Sequence, residues 1–212
     1  MRATPRFMGV AEGRRLVYML RHERTTGAIV QLLAAGSGAG TSSMVRDLAL
    51  VAAEMAALRV LLLDLDPPGD GQASALRSLL AAPTADRSPL TPAPSEVALH
   101  QVTDSSLGGT LHVSEIRRPP AGGIAGWVAL FGALRSAFDL VLVDSPSIDR
   151  AYDGVVLAPD VDTNLLVVEA ERTRSPAACN LRDRILDVGG TIGGVVFNKR
   201  RFHIPGFIYR HV

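Results

Sequence analysis

The 212 residues predict an α/β domain with a mostly parallel central sheet and helices on both faces. Three observations lead there. Short apolar runs recur along the chain, long enough for buried strands and too short for membrane spans. Stretches with apolar residues at helical spacing alternate with these runs, as a parallel sheet with crossover helices requires. Polar and acidic residues collect where several runs end, the edge of a parallel sheet at which ligand sites form. The length and the 47% hydrophobic content allow one well-buried core.

The elements follow in order. Residues 1–27 read as an N-terminal helical segment, and 28–198 as the main domain. "AIVQLLAA" (28–35) is a short apolar run ending at glycine, a buried strand. Over 42–57, Met44, Val45, Leu48, Val51, Ala52 and Met55 repeat at the spacing of one helix face. "RVLLLDLD" (59–66) is a second strand carrying Asp64 and Asp66 at its end, which completes a βαβ unit. Residues 83–94 hold four prolines and few large apolar side chains, a surface loop. A weak strand follows at 110–116 and a helix at 124–137; "FDLVLVDSPS" (138–147) is then a strand ending in Asp144. "TNLLVVEA" (163–170) and "TIGGVVFN" (191–198) supply two more strands, with a helix near 176–188 between them. The tail 199–212 mixes basic and aromatic residues, a composition suited to a membrane surface, a partner groove or the domain itself.

Composition removes several function classes. A net charge of +1 provides no broad basic face, so no nucleic acid is expected as partner. Cys179 is the only cysteine, which rules out an intrachain disulfide and any cysteine-based metal motif. The five histidines lack metal-ligand spacing, and the first residues lack the apolar core of a signal peptide. The expected location is cytoplasmic, with any placement at the inner face of the cell membrane reached through a partner or a short surface contact.

The stretch "AAGSGAGTSSM" (34–44) stands where a phosphate-binding loop would lie, between the first strand and the first long helix. Glycines at 36, 38 and 40 let backbone N–H groups turn toward an anion without a Cβ clash, and the helix N-terminus favours the same charge. Ser37, Gly38, Ala39, Gly40, Thr41, Ser42 and Ser43 are the candidate cradle. Laid on the pattern G-x-G-K-[ST], Gly38, Gly40 and Ser42 put Thr41 at the lysine position. Taken alone, such a turn also serves an ordinary strand-to-helix connection, and aspartates commonly cap helices. Their joint order points to a nucleotide site: the loop, then "LLLDLD", then "LVLVDSP".

These motifs resemble the MinD/ParA-type branch of P-loop ATPases, and within it the cytoplasmic domains of bacterial tyrosine autokinases of capsular and exopolysaccharide synthesis. Members of that group show GEGKS, LLIDxDxR and FDxVxxDxPP. This chain has "GAGTS" (38–42), "LLLDLDPP" (61–68) and "FDLVLVDSPS" (138–147). "LLVVEAERTR" (165–174) and "GGVVFNKRRFHIPGFIYR" (193–210) extend the similarity over most of 28–210. The resemblance implies ATP or ADP with Mg²⁺ as cofactor. It makes Asp64 and Asp66 catalytic carboxylates, places the metal at Ser42, Asp66 and Asp144, and sets Asn198 against adenine. It also implies a membrane-embedded polysaccharide chain-length or export protein as partner. "EGRRLVY" is similar to the self-association motif E-x-x-R-x-x-R, with Glu12 and Arg15 matching and Tyr18 at the last arginine position.

Thr41 changes what such a site can do. A unit charge about 4 Å from a phosphate oxygen contributes on the order of 4 kcal/mol at an effective dielectric near 20, before desolvation. A threonine hydroxyl offers none of that charge, so phosphoryl transfer suffers more than binding. Lys199 is the chain's only lysine and is expected far from the phosphates, while Arg46, a turn beyond the loop, must bend back to help. The tail offers Tyr209 alone where autokinases carry a tyrosine cluster. The reading is therefore an exopolysaccharide synthesis or export component with weak or lost catalysis. Its alternatives are an ATPase or tyrosine kinase rescued in trans, and a MinD/ParA-like positioning ATPase.

Overall fold

The computed structural model describes residues 10–21, 26–54, 58–65, 71–81, 97–104, 107–116 and 120–199. Helix α1 (Val10–Arg21) precedes strand β1 (Ala28–Ala34), helix α2 (Thr41–Glu54) and strand β2 (Arg59–Asp64). A four-residue helix α3 (Gln72–Ala75) and a 3₁₀ turn (Arg77–Leu79) lead to strands β3 (Val97–Val102) and β4 (Thr110–Ile116). Then come α4 (Ile124–Ala137), β5 (Leu140–Asp144), the short α5 (Asp153–Val156), β6 (Thr163–Glu169), α6 (Ser175–Asp187) and β7 (Ile192–Asn198).

The seven strands form one sheet in the order β3-β4-β2-β5-β1-β6-β7. All pairings are parallel except β3 with β4 at the edge. The predicted architecture is thus the observed one. Because both faces are covered, β1, β2 and β5 are buried almost throughout and show no polar alternation. Alternate residues serve opposite layers. Val30, Leu32, Val60, Leu62, Leu140 and Leu142 pack with α1 and α2, whereas Ile29, Leu61, Leu63, Val141 and Val143 meet α4. Leu33 and Leu166 join α6 through Leu181 and Ile185. Val17 of α1 lies in the same cluster as α2, so this helix is docked on the domain while Glu12, Arg15 and Tyr18 remain exposed.

Several elements differ from expectation. Strand β3 was not expected: in "VALHQV" the mixture of apolar residues with His100 and Gln101 suits a half-exposed edge and leaves little signal. The short α3 and α5, four residues each, fall below the length at which periodicity can speak. The second strand ends at Asp64, and Asp66 lies outside the described residues. So do the proline-rich stretch 83–94, the end of the predicted helix at 55–57, and the tail from 200 onward, Tyr209 included.

Candidate functional site

Strand β1 lies between β5 and β6, and the chain crosses to β2 on one side before it later fills the other. The crevice beyond the C-terminal end of β1 is therefore the topological switch point, where open α/β sheets take ligands. The loop 35–40 occupies it. Gly38 and Gly40 hold φ of 79° and 86°, the left-handed region that side chains disfavour. Gly36 has neither a positive φ nor neighbours near a notional Cβ, so of the three loop glycines only two are required by conformation. Helix α2 starts at Thr41, and the Met44 N–H donates to the Gly40 carbonyl at 3.0 Å. The first-turn amides of Thr41, Ser42 and Ser43 have no carbonyl within the helix to bond, which leaves N–H donors and the positive end of the helix dipole at this end.

The end of β7 braces the loop from outside. Asn198 is 4% exposed; its Nδ2 donates to the Ala39 carbonyl at 2.8 Å, and its Oδ1 accepts from the Lys199 N–H at 2.8 Å. A Cβ on Gly40 would lie 2.3 Å from Asn198 Nδ2, so glycine is needed there for space as well as for φ. Asn198, expected against adenine, is engaged with the loop itself. Lys199 corrects the sequence reading, which placed it far from the phosphates. Its φ of 57° turns the chain back, and its Nζ donates to the Gly38 carbonyl and sits 3.3 Å from Glu169 Oε1. A left-handed lysine costs on the order of 1–2 kcal/mol, and this turn spends it on reaching the loop.

Across the crevice, the β2–β5 register sets Asp64 directly beside Asp144. Both are buried, 6% and 2% exposed, and bringing two carboxylates together out of water demands compensation. Gln72, 1% exposed, supplies part of it. Its backbone N–H donates to Asp64 Oδ2 at 2.7 Å, and its Nε2 donates to Asp144 Oδ2 at 2.6 Å and to the Ser42 carbonyl at 2.7 Å. Its Oε1 accepts from Arg46 Nε at 2.9 Å. Arg46 does bend back, toward this corner. Sequence reasoning missed Gln72, because one glutamine in "GDGQASAL" carries no local signal.

A magnesium ion requires near-octahedral oxygen ligands at about 2.0–2.1 Å. The expected ligands are Ser42, Asp66 and Asp144. Among the described residues no three His, Cys, Asp or Glu side chains cluster as metal ligands. The amide nitrogen of Gln72 stands between Asp144 and the first turn of α2, and its N–H groups cannot ligate a cation. Asp66 lies outside the described residues, and of the two expected ligands that are described, Asp144 has its Oδ2 occupied by the Gln72 amide.

The mouth of the loop carries a carboxylate. Asp149 Oδ2 accepts from the Ser37 N–H at 3.0 Å and the Ser37 hydroxyl at 2.9 Å, and Ser37 Oγ lies 3.2 Å from Ser147 Oγ. The Ser147 hydroxyl first, then the Ser37 amide, lower the Asp149 pKa to about 2. Beside it, Gly36, Ser37, Ala39, Glu169, Arg172 and Arg174 line a cleft of about 260 Å³.

No family model and no curated protein sequence matches the chain. Solved structures do. The VpsO kinase domain is 22% identical, with 91% of this chain and 94% of that one covered at a TM-score of 0.67. The kinase domain of the Escherichia coli tyrosine kinase ETK is 19% identical over 92% and 78%, at 0.63. The MinD cell division protein of Aquifex aeolicus is 18% identical over 87% and 73%, at 0.58. The chain has the fold that bacterial tyrosine kinase domains share with MinD, as its motifs implied. Nucleotide-binding proteins share it too: cobyrinic acid a,c-diamide synthase from Mycobacterium smegmatis, 16% identical over 80% and 71% at 0.53, is solved with ADP and magnesium. Among the described residues no helix is long and apolar enough to cross a membrane.

Proposed function

We propose that this chain is a cytoplasmic component of capsule or exopolysaccharide synthesis or export, built on a tyrosine-kinase-type nucleotide fold, with weak or lost catalysis. It acts by engaging a membrane-embedded chain-length or export protein. One observation carries the reading: the loop keeps its left-handed Gly38 and Gly40 and its helix N-terminus, while Thr41 stands where the charge-bearing lysine belongs. Binding to such a cradle relies on backbone amides and survives the change; turnover relies on the missing cation. The fold shared with the VpsO and ETK kinase domains supports a tyrosine-kinase-type scaffold, and the motif resemblance supports the pathway. Exposed Val195 and Phe197 on edge strand β7 offer an apolar surface beside the site, which supports a partner. The exposed Glu12 and Arg15 of α1 are the residues we assign to self-association.

The test is steady-state ATP hydrolysis by the purified chain, followed by a phosphotyrosine assay with the cognate membrane protein added. Absent or very slow hydrolysis is expected, and rapid magnesium-dependent turnover by the chain alone overturns the reading. The adjacent Asp64 and Asp144 favour a second reading, an enzyme rescued in trans. Activity that appears only with the partner and disappears in Asp64→Ala establishes that alternative instead.

A further inference from the structure

We infer that the carboxamide of Gln72 takes the place of the divalent cation, so that this loop binds a nucleotide without metal; the inference rests on the reading of the loop as a nucleotide site. The orientation of the amide follows from its partners. Nε2 lies 2.7 Å from a carbonyl and 2.6 Å from a carboxylate, both acceptors only, whereas Oε1 faces the Arg46 Nε donor. Reversing the amide turns all three contacts repulsive. The nitrogen therefore points both hydrogens into the space between Ser42 and Asp144, and the arginine brings positive charge to the far side of the same group.

The turn that carries Gln72 is seated on Asp64. A Cβ at Gly71 would come 2.6 Å from Asp64 Oδ2, so a larger residue there would have to push that carboxylate aside. The Gln72 N–H then bonds the same oxygen at 2.7 Å. One residue thus ties both carboxylates to the first turn of α2, and at 1% exposure it is part of the interior. A cation that takes Asp64 Oδ2 or Asp144 Oδ2 must first displace Gln72. Hydrogen bonds from Gln72 meet both carboxylates without an ion, Arg46 donates to Gln72 in turn, and the loop amides of residues 41–43 stay outside this set of contacts.

Two measurements on the full chain test this. In the first, Mn²⁺ is titrated into the wild type, Gln72→Ala and Gln72→Glu and followed by electron paramagnetic resonance, without nucleotide. The wild type is expected to bind Mn²⁺ at least about tenfold more weakly than either variant, the size of effect that groups supporting metal ligands produce. Equal affinity in wild type and variants overturns the inference. In the second, ADP affinity of the wild type is measured in EDTA and in Mg²⁺, and needs no variant to fold. Agreement within about twofold supports the inference, and a gain of about tenfold with Mg²⁺, the usual reach of a lost metal support, overturns it. If ADP fails to bind in either condition, the nucleotide reading falls, while the Mn²⁺ titration still decides whether Gln72 excludes the cation.

Discussion

The two walls of the crevice beyond β1 have been treated differently. On one wall the loop keeps the backbone conformation of an anion cradle: Gly38 and Gly40 are left-handed, α2 begins at Thr41, and Asn198 and Lys199 hold the loop from behind. On the other wall the acidic pair is stitched shut by Gln72. The difference teaches that the features built from backbone and those built from side chains separate easily. A cradle of amides survives as long as glycines and a brace hold its shape. A pair of carboxylates is bridged by one glutamine of the right length.

Gln72→Ala removes three side-chain hydrogen bonds, one of them to a buried carboxylate, and is expected to cost about 3–4 kcal/mol in urea unfolding without metal. A cost under about 1 kcal/mol, the worth of a single neutral hydrogen bond, would mean the acidic wall does not need its stitch. Gly40→Ala meets both a left-handed φ and a contact 2.3 Å from Asn198 Nδ2, for an expected loss of about 2–3 kcal/mol. Gly36→Ala, with open space and no positive φ, is the control and stays within about 0.5 kcal/mol. Asn198→Ala is expected to cost about 1–2 kcal/mol through its lost bond to Ala39. Paired with Gly40→Ala it recovers the steric part, and a double-mutant cycle reads that coupling; strict additivity would show that Asn198 does not brace the loop.

The smallest effect concerns Asp149, whose carboxylate holds the Ser37 amide at the loop mouth. Asp149→Asn is expected to raise the affinity for an anionic ligand about two- to fivefold, the range of an exposed charge, as read by competition with a fluorescent nucleotide. Its pKa is lowered in the fold, so the stabilisation it gives is complete above the ordinary aspartate pKa near 4 and is lost as pH falls toward 2. Amide exchange or chemical shift at Ser37 should follow that window, and a Ser37 signal that ignores it contradicts the contact.

Much of the fold was legible because its strands are buried on both faces and read as unbroken apolar runs, "AIVQLLAA" and "RVLLLDLD" above all. The loop and Asp144 were legible for a related reason: they sit at run ends, where chain position alone sets them at the sheet's carboxyl edge. Gln72 was not, since its role depends on meeting a carboxylate 72 residues away through a helix of one turn. The place of Lys199 depended on a single left-handed backbone angle, which no side-chain pattern announces. Strand β3 was hidden by lying at the end of the sheet order, half exposed and antiparallel to β4.

The contrast between the walls is tested most directly by calorimetry of ADP binding to the intact chain, first in EDTA and then in excess Mg²⁺. Measurable heat of binding is expected in EDTA, with no material change when the ion is added. Binding that requires Mg²⁺ would show that the acidic wall still works as a metal site and would contradict the central claim.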